Sequence, residues 1–138
     1  MVGYEQDVCA WSEQTAAALR DRRLDGVDWD AVAEEILDVS KRERSKLESA
    51  LRQVLVHMLK WQFQPGKRTR SWELSIIEHR LRAKRVLEEN PSLRRSAHVV
   101  VFYAYAIARV RAAKQTGIEL DVFPEQCPFT LADVLPEA

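Results

Sequence analysis

Helix-breaking residues are few in this chain, and every break falls between stretches whose apolar side chains recur at helical spacing. The breaks are Asp25-Gly26, Pro65-Gly66, Asn90-Pro91 and Gly117. Between them apolar residues return at intervals of three and four, the repeat of one helix face. Strand-like alternation is missing apart from the short run Val99-Val100-Val101. This punctuation predicts an all-α fold: a compact bundle of four main helices, an ordered C-terminal strap and a short final helix. With 138 residues, 46% apolar and 30% charged, the chain has the balance of one globular domain over 1–138, with 118–138 packing on the bundle.

A first helix fits Glu5 to Arg22, with Val8, Trp11, Thr15 or Ala16, and Leu19 on one face. Asp28 is the expected N-cap of a second helix that begins at Trp29, where Asp30, Glu34 and Glu35 favour the positive end of the helix dipole. One phase then runs through Trp29, Val32, Ala33, Ile36, Leu47, Leu51, Val54 and Met58, interrupted by polar residues at 40–46. The pattern predicts one long helix, kinked or broken near Ser40 to Arg44. Beyond Val54 apolar residues point in nearly every direction, which places this half in the middle of the bundle. Its polar residues Gln53, His57, Lys60 and Gln64 form a single stripe, either a narrow solvent face or a polar site.

Pro65-Gly66 ends that helix. A third is expected from Thr69 or Ser71 to Glu89, with one apolar stripe of Trp72, Ile76, Ala83 and Leu87 and another of Leu74, Ile77 and Leu81. Two stripes imply two packing neighbours. Asn90 as cap and Pro91 as first residue start a fourth helix that stops at Gly117. Between Val99 and Ala108 this helix is apolar all round, so Phe102, Tyr103, Tyr105 and Ile107 would lie exposed in a lone four-helix domain. The expectation is a homo-oligomer, most simply a twofold dimer, through Val99, Phe102, Tyr103, Ala106 and Ile107. In the strap, Phe123, Cys127, Phe129 and Leu131 are the expected anchors, and Thr130 with Asp133 forms a capping box for the last helix.

Formal net charge is zero, so no long-range field draws the whole molecule to nucleic acid or an anionic membrane. The zero is a cancellation: residues 60–95 carry 10 basic and 4 acidic side chains, whereas 1–59 carry 8 and 12. Cations concentrate at the turn, as Lys67, Arg68 and Arg70, between Trp61 and Trp72. Both tryptophans follow apolar patterns and read as bundle core. The residues expected to bind are Lys60, Lys67, Arg68 and Arg70, with His57 and Gln64 beside them on the polar stripe.

The blocks Ala33-Glu34-Glu35-Ile36, His57-Met58-Leu59-Lys60-Trp61-Gln62 with Pro65, Arg70-Ser71-Trp72, Glu89-Asn90-Pro91-Ser92 and Phe123-Pro124-Glu125-Gln126-Cys127-Pro128 resemble the bacterial domain-of-unknown-function family 29. The resemblance covers nearly the whole chain, and it implies an all-helical cytoplasmic protein with no assigned activity. Where relatives are expected to carry charges in the fourth helix, this chain has His98, Val99, Tyr103, Ala106 and Ile107, which favours an added interface.

Motifs for chemistry are mostly missing. The sequence has no glycine-rich phosphate loop, no His-Glu-x-x-His and no nucleophile elbow. Cys9 and Cys127 lie far apart, and the histidines lack ligand spacing, so neither a metal nor another cofactor is expected. No basic and apolar leader opens the chain, and the longest interior uncharged run, Ser96 to Ala108, has 13 residues where a span needs about 20. A cytoplasmic, membrane-free protein is the expectation. Arg52 and His57 match the loose Arg-x(4–6)-His spacing of helical ribonucleases, but five residues set two side chains about 140° apart on a straight helix. Three readings remain: a non-enzymatic oligomeric interaction protein with a basic turn at 67–70, a nucleic-acid-associated protein held weakly by that turn, and a helical hydrolase using Arg52 and His57.

Overall fold

A computed structural model describes residues 2–136. Its main helices are α1 (Val8–Arg20), α2 (Trp29–Phe63), α3 (Arg70–Glu89), α4 (Ala97–Thr116) and α5 (Leu131–Val134). Short 3-10 helices at Pro65–Lys67, Pro91–Ser96 and Leu120–Val122 fill the junctions, and the described residues contain no strand. The all-α expectation is therefore met. Contacts divide the chain into two compact units, one reaching to Ser40 and the other starting at Lys41.

The first unit holds α1 and the start of α2. Glu5 and Gln6 form a turn, so α1 begins later than expected, with Asp7 as its N-cap accepting the Ala10 N–H at 3.0 Å. Trp11, Thr15, Ala18, Val27 and Ala31 are buried, whereas Val8 is exposed. Tyr4 places its ring edge-on to Trp11, with centroids 4.8 Å apart, and its hydroxyl donates to Glu35 Oε1 at 2.7 Å. That bond is the largest cause raising the Tyr4 pKa to about 12. In this part of α2 the buried direction runs through Ala31, not through the expected Trp29, Ala33 and Ile36, all of which are exposed.

Helix α2 starts as predicted, the Asp28 carboxylate accepting the Ala31 N–H at 3.1 Å. It is not broken at 40–44. All 35 residues are helical, and Ser40 hydrogen-bonds back to the Leu37 carbonyl at 2.9 Å, satisfying its hydroxyl without opening the turn. The polar stretch marks a change of surroundings: Ile36, Leu37 and Val39 are exposed, whereas Leu47, Leu51, Val54, Leu55 and Leu59 have no exposed surface.

In the second unit those leucines and Val54 form the centre of the core, joined by Ala83 and Leu87 of α3, Val101, Ala104, Tyr105 and Ala108 of α4, and Phe123 and Val134. Thr69 caps α3, accepting the Trp72 N–H at 3.2 Å. Of the two α3 stripes only the first finds a neighbour, since Leu74, Ile77 and Leu81 are exposed. Pro91 opens a 3-10 helix rather than α4, which starts at Ala97 and stops where Gly117 takes φ 74°, a left-handed conformation natural to glycine. The tail is tied down by Arg109, whose Nε donates to the Phe123 carbonyl and whose second terminal nitrogen donates to that of Leu120, both at 3.1 Å. Phe123 is buried, Cys127, Phe129 and Leu131 pack against the core, and the capping box of Thr130 and Asp133 forms as expected.

Candidate functional site

The basic turn is built where α2 ends at Phe63 and the 3-10 helix Pro65–Lys67 reverses the chain. Lys67, Arg68 and Arg70 are exposed there, as the sequence predicts. Arg68 is held in place: its Nε donates to the Trp61 carbonyl at 2.9 Å, and its guanidinium lies over the Trp61 ring, 4.7 Å from the centroid. Lys60 lies over Trp72 at 4.8 Å and donates to Gln115 Oε1 at 3.3 Å. Trp61 and Trp72 are therefore not sealed in the core. Each is half-buried, with a cation over its ring where a nucleobase would otherwise stack.

Gln53, His57, Lys60 and Gln64 are all half-buried. His57 donates from Nδ1 to the Gln53 carbonyl at 2.8 Å, which fixes the proton on that nitrogen, and its ring stacks on His79 with centroids 6.4 Å apart. Burial is the main cause holding the His79 pKa below that of free imidazole. Arg52 pairs with Glu48 at 3.7 Å, while its Nε lies buried without a hydrogen-bond partner among the described residues. Arg52 and His57 thus engage different neighbours. The described residues hold no cluster of three or more His, Cys, Asp or Glu suited to a metal. Cys9 and Cys127 are free thiols, and burial pushes the Cys127 thiol pKa up.

Three grooves line the second unit in positions that matter. The largest, about 1010 Å³, lies between α2 and α3, and three of its four cations are already paired: Lys46 with Glu43 at 2.9 Å, Arg82 with Glu78 at 3.1 Å and Arg85 with Glu89 at 2.9 Å. A second, about 520 Å³, runs between α2 and α4 beside Val99 and Tyr103, with Lys41, Arg44 and Glu48 on the α2 side. The third, about 550 Å³, lies between the end of α2, the first half of α3 and Phe129. It joins Arg68 of the basic turn to Arg80, a residue that sequence reasoning counted only as one more cation of α3.

Arg80 donates from Nε to the Val134 carbonyl at 2.9 Å and from a terminal nitrogen to the Asp133 carbonyl at 2.8 Å. Its burial lowers its pKa, and among the described residues it has no carboxylate partner. One signal could have found it. Arg80 falls between Ile76 and Ala83 on the inward stripe of α3, four residues after one and three before the other, where an apolar residue is expected.

The outer face of α4 is the other prominent surface. Phe102 is 67% exposed and Tyr103 64%, and Val99, Ala106, Ile107 and Val110 are exposed beside them. Tyr105 departs from expectation, being 2% exposed, with its hydroxyl donating to the Pro124 carbonyl. Its position on the helix turns it toward the strap. No helix among the described residues is long and apolar enough to cross a membrane, so α4 is not a span.

No curated protein and no solved structure matches the chain. One family model does, over residues 3–138, and the chain accordingly belongs to the family described as domain of unknown function DUF29.

Proposed function

We propose that this protein is a non-enzymatic helical interaction module that self-associates through the outer face of α4. The observation that carries this reading is the two-sidedness of α4. One face buries Ala97, Val101, Ala104, Tyr105, Ala108 and Ala112, while the opposite side leaves five large apolar or aromatic residues at least 42% exposed. Together they make a patch on the order of several hundred Å², the scale at which an exposed surface marks an interaction site. A second copy brings an equal patch, and two such patches approach the total of about 1,200–2,000 Å² that a stable interface buries. A straight helix with a continuous outward stripe is self-complementary about a twofold axis, because its ridges pack into the grooves of its own copy.

The non-enzymatic part draws on Arg52 and His57, which are occupied by Glu48 and Gln53 rather than by each other. The basic turn then remains available for a further partner, with Lys67 and Arg70 outward. Light scattering tests the assembly: the protein should show twice its chain mass of 15.9 kDa at micromolar concentration. Phe102→Glu with Ile107→Glu should return it to a single-chain mass with unchanged helicity. A single-chain mass for the unaltered protein would exclude self-association through α4.

A further inference from the structure

We propose that the groove joining Arg68, Arg80 and Phe129 binds a small organic anion with an apolar body, such as a medium-chain carboxylate. This site lies apart from the α4 face, and the proposal stands whether or not the chain self-associates.

The groove's apolar walls come from three separate segments: Met58 and Trp61 on α2, Ile76 and Ile77 on α3, and Phe129 in the strap. Its volume of about 550 Å³ is within the range of small-molecule sites, about 300–1,000 Å³. An apolar body fits these walls. The polar lining adds a charge preference, because two guanidinium groups face the same groove and neither is ion-paired among the described residues. Arg68 spends only Nε on protein, so both of its terminal nitrogens keep their N–H groups, and no carboxylate pairs with it among the described residues. Arg80 uses Nε and one terminal nitrogen on backbone carbonyls, and the same terminal nitrogen lies 4.0 Å from Met58 Sδ. The other terminal nitrogen has no acceptor among the described residues.

A half-buried cation bonded only to neutral carbonyls is desolvated without an opposite charge, and an anion is its natural complement. Both guanidiniums are held before any ligand arrives, Arg68 by the indole and Arg80 by the α5 carbonyls, so little side-chain entropy is lost on binding. Among the described residues Glu73 is the one carboxylate in the groove's lining, and it is ion-paired to neither arginine. It lowers the affinity of the groove for an anion, and its removal should raise it.

Calorimetric titration of the full chain with decanoate and with decanol tests the charge preference. Decanoate should bind saturably and about tenfold more tightly than decanol, the effect expected of one charge-assisted hydrogen bond. Arg68→Gln, a surface change, should abolish most of this difference while the circular dichroism stays unchanged, and Glu73→Gln should strengthen decanoate binding. Arg80→Gln should act in the same direction, and if it unfolds α5 then Arg68→Gln still decides. Methyl NMR locates the ligand: shifts at Met58, Ile76 and Ile77 support the proposal, whereas shifts confined to Val99 and Ile107 overturn it. Equal binding of decanoate and decanol, no binding of decanoate, or undiminished binding by Arg68→Gln would each overturn it as well. Tighter binding of a capped Leu-Glu peptide than of decanoate would reassign the groove to a protein partner.

Discussion

His79 of α3 has its ring stacked on His57 of α2 and its Nδ1 shielded from solvent, without a hydrogen-bond partner among the described residues. Burial is the largest cause of its lowered pKa, Arg82 and His57 add to it, and Glu78 opposes. An unfolded chain takes up that proton at about pH 6.5, before the folded one does, so protonation favours unfolding as pH falls below that value. Urea midpoints should therefore be lower at about pH 5.5 than at about pH 7.5, with a smaller difference in His79→Gln. Equal differences in the two proteins would remove His79 from the account. Tyr105 acts at the opposite end of the scale. Its pKa is pushed up to about 12, mainly by burial, with Cys127 adding and Arg109 opposing. The folded state thus holds the phenolic proton longer than the unfolded chain, and this stabilisation is present below about pH 10 and lost as pH rises toward 12. Tyr105→Phe strands the Pro124 carbonyl, should cost about 1 kcal/mol near neutrality by urea unfolding, and should lessen the alkaline loss.

Helix ends were the most legible elements, because a cap is a local chemical event. Asp28, Gly117 and the Thr130–Asp133 pair act where the sequence places them, and Thr69, read as one of two possible starts of α3, is its cap. Helix interiors were less legible wherever environment, rather than backbone preference, set the pattern. Lys41, Arg42, Glu43 and Arg44 are good helix formers, so polarity there changes what α2 faces and not whether it continues. The 3-10 start at Pro91 was hidden for a related reason, since proline suits the first turn of either helix type. At the candidate site, Arg68 was visible as part of a basic turn, but its meeting with Arg80 and Phe129 joins segments far apart in sequence. One helix end departs from custom. After α1 the Arg23 N–H bonds the Ala18 carbonyl and the Arg22 N–H that of Leu19, the paired bonds of a Schellman stop, yet the left-handed position holds Arg22 at φ 60° instead of glycine. Arg22→Gly should stabilise the protein by about 0.5–1 kcal/mol, and an unchanged or lower melting temperature would contradict the strain.

On the scale of the whole molecule, stability is not spread evenly along α2. Its part in the second unit, from Leu47 to Leu59, lies in a dense core, whereas Ile36, Leu37 and Val39 are exposed in the first unit. Hydrogen exchange should accordingly be slowest at 47–59 and faster at 32–40, and uniform protection along the helix would show that the two parts open together. The four tryptophans divide along the same boundary, Trp11 and Trp29 before Ser40, Trp61 and Trp72 after it. Their emission therefore offers a separate optical signal for each unit. With Trp11 and Trp29 replaced by phenylalanine, the remaining light comes from two indoles that each lie beneath a cation, at 4.7 and 4.8 Å. An anion bound to Arg68 where it lies over Trp61 would change the colour and yield of that light, so the groove carries its own dye.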